Sequence, residues 1–113
     1  MKFKTSHRGP ATVVELAGNL LGGPDAGLLK NKLHELIESG KKSVVVDLKG
    51  IEFLNSSGLA MLISSLTTMR EAGGDLKIAN ASEKIATVIK VTKLGSMFEN
   101  FPSVDAAVAA LKK

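Results

Sequence analysis

Ser43-Val44-Val45-Val46-Asp47-Leu48, then Lys49-Gly50, then Ile51-Glu52-Phe53-Leu54-Asn55-Ser56-Ser57-Gly58-Leu59 is the stretch on which the fold turns. Three consecutive valines do not alternate between apolar and polar, so they suit a strand covered on both faces, inside a sheet flanked by helices. Lys49-Gly50 reads as a short connection, and Ile51–Leu54 leads into a polar Asn-Ser-Ser-Gly that opens a helix. Leu59, Leu62, Ile63, Leu66 and Met69 recur at helical spacing, and Gly73-Gly74 closes that helix. Leu76 to Asn80 is the next strand. A strand–helix–strand unit of this length implies a parallel pair joined by a crossover.

Working outward toward the N-terminus, residues 2–6 alternate weakly and residues 12–17 form a second short strand pattern. Arg8-Gly9-Pro10 between them supplies turn residues, so a hairpin opens the chain. Gly22-Gly23-Pro24-Asp25 breaks the strand pattern, with Pro24 suited to a first helical turn and Asp25 to its positive end. Ala26, Leu29, Leu33, Leu36 and Ile37 form an amphipathic stripe that Gly40 stops. Toward the C-terminus, Ile85, Val88 and Ile89 mark a third helix and Met97 to Phe101 a short last strand. Val104, Ala107, Val108 and Leu111 mark a closing helix after Pro102-Ser103. The order ββαβαβαβα predicts an α/β fold. Its mixed sheet has four or five strands, Ser43–Leu48 lies near the centre, and about four helices pack mainly on one face, leaving the hairpin side more open.

The 113 residues are the length of one compact domain, and the chain is read as a single module spanning 1–113. With no Cys, it has no disulfide, thiolate nucleophile or zinc-finger spacing. His7, expected in a turn, and His34, on the polar side of a helix, are both expected in solvent. No metal site, cofactor or catalytic pair is expected, and the chain is not read as an enzyme. The net charge of +4 rests on 15 basic residues, only two of them Arg, scattered rather than gathered in a stripe. The four Phe are not interleaved with Arg as a base-stacking platform would be, so direct nucleic-acid binding is not expected. No apolar run approaches a membrane span and the N-terminus lacks an apolar signal core, so a cytoplasmic protein is expected.

Chemistry concentrates where the central strand gives way to the second helix. A hydroxyl of Ser56 or Ser57, or the Asn55 side chain, can accept a hydrogen bond from a free amide of the first turn. Free amides and the positive helix end also favour an anion, so a phosphate on Ser56 is tolerated there. Gly22-Gly23 lacks the Lys and Ser/Thr of a phosphate-binding loop. Asp47, a lone carboxylate, is read as structural. From Phe53 to Met69 the chain carries no charge, and the helix side bearing Met61, Ser64, Ser65 and Thr68 reads as an uncharged docking face beside Ser56.

Val44-Val45-Val46-Asp47-Leu48, followed at fixed distance by Phe53-Leu54-Asn55-Ser56-Ser57-Gly58-Leu59, resembles the STAS domain shared by sulfate transporters and anti-sigma factor antagonists. The likeness is specifically to its small free-standing bacterial members. Gly18-Asn19-Leu20, Gly73-Gly74-Asp75-Leu76 and Val91-Thr92-Lys93-Leu94 support the resemblance, which runs from Val13 to Leu111. It implies that Ser56, the first serine of the signature, is phosphorylated by an anti-sigma factor that is also a serine kinase. Three positions depart from the family pattern. Asn55 replaces Asp, Gly18-Asn19-Leu20-Leu21 lacks the two family carboxylates, and Ala60 replaces Gly.

The expected function is therefore an antagonist that binds a kinase anti-sigma factor and is switched off by phosphate at Ser56. Asn19, Leu21, Gly22, Gly23, Asn55, Ser57, Gly58, Met61 and Ser65 form its partner-binding surface, on a monomer or weak dimer. The alternative is a STAS interaction module without a phosphorylation cycle, either a regulatory scaffold or the small cytosolic subunit of a lipid transporter.

Overall fold

The computed structural model describes residues 2–90 and 100–111. Its elements are β1 (Lys2–Arg8), β2 (Ala11–Leu20), α1 (Pro24–Glu38), β3 (Ser43–Leu54), α2 (Ser56–Glu71), β4 (Asp75–Ala79), α3 (Glu83–Lys90), β5 (Asn100–Phe101) and α4 (Val104–Leu111). The expected Val91–Leu94 match, and the Met97–Glu99 part of the expected last strand, lie outside the described residues.

The sheet order is β1-β2-β3-β4-β5. β1 pairs antiparallel with β2, and β2 through β5 are mutually parallel, which puts the valine strand at the centre. Strand order equals chain order, so crossovers of one hand put every connecting helix on the same face. α1, α2 and α3 accordingly share one core with Val14, Leu16, Val44, Val46, Leu48 and Ile78. α4 follows the last strand and is free of that constraint. It covers the opposite face, where Ala107 and Val108 pack with Ala11, Val13, Val45 and Ala79. The valine run is thus buried on both sides, Val44 and Val46 toward three helices and Val45 toward one.

Two sequence expectations change. Lys49-Gly50 does not connect two segments, because β3 runs unbroken from Ser43 to Leu54. The register against β2 instead slips twice, between Glu15 and Ala17 and again between Gly18 and Asn19. Extra residues on one strand are absorbed as irregularities that bend it rather than end it. β2 likewise continues through Gly18-Asn19-Leu20. His7 lies in β1 rather than in a turn. Its ring Nδ1 is 3.3 Å from the hydroxyl of Thr12, a buried residue that thereby gains a partner.

Polar contacts tie the elements at both ends of the parallel strands. Asp47 Oδ1 accepts from the Lys49 amide at 3.0 Å and from Asn80 Nδ2 at 3.1 Å, a structural role that joins β3 to the end of β4. At the start of β4, Asp75 meets Arg70 Nε at 3.5 Å and Lys77 Nζ at 3.3 Å, and its Oδ1 accepts from the Leu76 amide at 2.8 Å. Partial burial raises its pKa, but the Leu76 amide, Lys77 and Arg70 together outweigh that and hold it below the ordinary aspartate value. Arg8 pairs with Asp105 and so links the hairpin to α4.

Candidate functional site

The carboxyl ends of β2 and β3 lie side by side, with Asn19 opposite Phe53 and Leu20 opposite Leu54. Leaving β3, Asn55 adopts an extended conformation and its Oδ1 accepts from the Gly58 amide at 2.8 Å. The cap is therefore Asn55, and neither serine is needed for it. Ser56 and Ser57 occupy the first two helical positions and both are exposed. Among the described residues no group hydrogen-bonds to either hydroxyl.

Two glycines lock this turn to the end of β2. A Cβ on Gly58 would lie 1.9 Å from the Leu20 carbonyl oxygen, so only glycine allows the helix to begin this close to the neighbouring strand. The same carbonyl accepts from the Asn55 amide at 3.3 Å. Gly22, at φ +81°, comes so near Ser57 that a Cβ there would sit 3.0 Å from the Ser57 Cβ. Sequence positions 20–22 and 55–58 are thus one structural unit with Ser56 at its surface. Gly22 and Gly58 shape that unit from within, while Asn19, Leu21 and Gly23 face out.

The docking face read from α2 needs correction. Met61 and Ser65 are each only 5% exposed, because α1 lies along that side of the helix. Ser65 Oγ donates to the Met61 carbonyl at 2.8 Å, which satisfies the buried hydroxyl within its own helix. A seam between two helices and a surface facing a partner both favour uncharged residues, so the composition alone does not separate them. Ser64 remains exposed and Thr68 half-buried.

Leu21, expected on the partner-binding surface, is 44% exposed. Sequence reasoning missed a second apolar residue that reaches solvent here. Phe53 is 46% exposed, with the Lys84 ammonium 6.0 Å from its ring centroid. No spacing in the sequence signals this, because strand alternation puts Phe53 on the face of Ile51; the register slip between Gly18 and Asn19 is what turns Ile51 and Leu54 both inward and leaves Phe53 outside. Among the described residues no three His, Asp or Glu side chains gather as a metal would need, and no helix is long and apolar enough to cross a membrane.

A small α/β module with three helices on one sheet face, one on the other, and an exposed serine at the start of the helix after its central strand defines a recognisable class. The STAS domain profile matches residues 2–107, and the chain belongs to that family. The anti-sigma-B factor antagonist of Bacillus subtilis is 28% identical over 74 residues, covering 66% of this chain and 67% of that protein. The anti-sigma F factor antagonist of Paenibacillus polymyxa is 24% identical over 112 residues, covering 98% and 92%. The phosphorylated form of the Bacillus cell fate determinant SpoIIAA superposes with a TM-score of 0.71 at 17% identity, over 96% of this chain and 98% of that one. At that identity the likeness is one of fold.

Proposed function

We propose that this chain is an anti-sigma factor antagonist that acts by binding rather than by catalysis, and that phosphorylation of Ser56 switches it off. The carrying observation is that Asn55 caps α2, leaving the exposed Ser56 hydroxyl with no structural duty on a turn whose amides favour an anion. The relatives named as anti-sigma factor antagonists support the choice of partner, and the existence of SpoIIAA in a phosphorylated form supports the choice of chemistry. The partner is a serine-kinase anti-sigma factor, and its ATP places the exchange in the cytoplasm. It docks on the surface around Asn19, Leu21, Gly23, Phe53 and Ser57. A phosphate adds about 1.5 to 2 negative charges. On the uncharged contact surface around Phe53 and Ser57, that charge must be desolvated on binding and so releases the partner.

Incubation with the cognate anti-sigma factor and ATP, followed by mass spectrometry, tests this directly. Phosphate is expected on Ser56 and absent from Ser56→Ala. Ser56→Asp is expected to bind the partner much more weakly than Ser56→Ala, with both variants folded. Tight binding without any phosphate would move the assignment to a scaffold in which Asn55 and Ser56 only begin a helix.

A further inference from the structure

Among the described residues three large apolar side chains are markedly exposed: Leu21, Phe53 and Leu28, the last at 52%. All three lie at the carboxyl end of the parallel strands, the end that carries Ser56. Phe53 stands near the close of β3, Leu21 just after β2, and Leu28 in the second turn of α1. Leu21 and Phe53 belong to the surface around the serines, whereas Leu28 stands apart on a helix. The exposed positions of that helix divide in character. At its start Gly23, Pro24, Gly27 and Leu28 are exposed and carry no charge, and Asp25, the one charged residue there, is half-buried. Further along, the exposed positions are Lys30, Asn31, His34, Glu35 and Glu38, the polar set that a helix facing water usually presents.

Gly27 adds a second, independent observation. Glycine inside a helix lowers its stability relative to alanine and is accepted where the backbone must come close to something. At Gly58 that something is the Leu20 carbonyl, but a Cβ at Gly27 would meet nothing within 4 Å, so no neighbour in the chain requires the glycine. The bare backbone at Gly27 suits the close approach of a second molecule. Distance permits one molecule to touch the serine turn and Leu28 together. Gly22 abuts Ser57, and Pro24 is at most about 7 Å from Gly22 along the chain. Leu28 stands about 6 Å further along the helix axis. A standard interface covers about 800 Å² on each partner, a disc of about 16 Å radius, so a molecule centred on the Gly22–Ser57 contact reaches Leu28.

We infer that the anti-sigma factor covers the start of α1 as well as the serine turn, with Leu28 as an apolar anchor and Gly27 as a point where the partner's backbone passes close. The inference rests on the reading that the chain is an anti-sigma factor antagonist, and it extends the docking surface across Pro24, Gly27 and Leu28. A second copy of the chain fits the patch less well. Permanent homodimer interfaces bury about 2,000 Å² or more and are apolar at their centre, whereas three half-exposed side chains offer about 300 Å² of apolar area. A small apolar patch with an uncharged border suits a partner that binds and leaves, as a switch requires.

Affinity for the cognate anti-sigma factor and the urea midpoint, measured on the same variants, decide. Leu28→Gln and Gly27→Gln keep the helix, since glutamine is a good helix former and Gly27 has open space for a side chain. Each is expected to weaken binding at least about tenfold. The urea midpoint is expected to rise for Gly27→Gln and to change little for Leu28→Gln, so the lost affinity does not come from unfolding. His34→Gln, on the polar half of α1, is expected to bind as the parent does. Leu28→Gln and Gly27→Gln chains that bind as tightly as the parent overturn the surface while leaving the antagonist reading intact. A parent chain that binds no anti-sigma factor overturns that reading and the surface with it. Concentration-dependent elution as a dimer that Leu28→Gln abolishes assigns the patch to a second copy, and equally overturns the inference.

Discussion

Asn55 concentrates the difference between capping and signalling into one side chain. Its Oδ1 occupies the Gly58 amide, so the amides of Ser56 and Ser57 remain available to an anion, and the serine hydroxyls remain available to an enzyme. Asn55→Ala is expected to lower stability by about 1 kcal/mol, the usual consequence of removing an N-cap, read as a lower urea midpoint at unchanged slope. A loss of that size leaves the fold populated, so partner binding by the variant can be measured. The position of Ser56 was legible because a strand exit, an Asx/Ser cluster and a helical stripe fix one another in order. Which of three side chains caps was not, since each has an oxygen of suitable reach and only the backbone geometry at Asn55 decides. The buried approach of Gly58 to Leu20 was equally hidden, because it is a contact between residues 38 positions apart.

At the scale of elements, the apolar periodicities carried the helices and the central strand. They failed where a face had two compatible neighbours. Met61, Ser64, Ser65 and Thr68 form one stripe, and nothing in their chemistry says whether water, a partner or α1 covers it. The structure gives the answer for Ser65, and it reverses the expected outcome of a charge insertion. Ser65→Glu, innocuous on an open surface, is expected to destabilise by about 3 kcal/mol because the carboxylate must be buried against Leu33 or force the helices apart. Ser65→Ala, which removes only a hydroxyl bonded within its own helix, is expected to change stability by less than about 1 kcal/mol. Denaturation of the pair separates a seam from a surface. β3 shows the other kind of failure. Gly50 reads as a break, yet β2 pairs across it by shifting register, a tertiary accommodation with no local signature.

Charge linkage also joins elements, through Asp75 between α2 and β4. The folded-state pKa of Asp75 is depressed, so its ionised form is favoured by folding. The stabilisation is complete above the unfolded-state value near 3.8 and is lost as pH falls through the lower folded value. Asp75→Asn is expected to unfold more readily than the parent at neutral pH and to show a shallower decline in acid. Parallel Tm profiles across the acid range measure it, and coincident slopes below pH 4 would assign the acid sensitivity to other carboxylates.

For the whole molecule, the asymmetry of the two sheet faces sets what each end of the chain can do. Three helices follow from the crossovers and share one large core, while the opposite face depends on a single eight-residue helix placed after the last strand. α4 contributes few large side chains, and its Ala107 and Val108 cover Val13, Val45 and Ala79 at the centre of the sheet. Arg8–Asp105 adds an exposed ion pair of the kind worth little by itself. Coverage of Val45 is therefore the principal contribution of α4, and it is a contribution to solubility as much as to stability. Removing residues 103–113 leaves the other core intact but bares a contiguous apolar strip across β2, β3 and β4, a surface prone to association. The truncated chain is expected to retain helical and strand signal in circular dichroism, to bind a hydrophobic dye that the full chain does not, and to elute in size-exclusion chromatography as larger species. Arg8→Ala, by contrast, is expected to leave elution and dye binding unchanged, because the ion pair lies outside the apolar contact. A truncated chain that stays monomeric and dye-free would mean that Val45 is shielded by something other than α4.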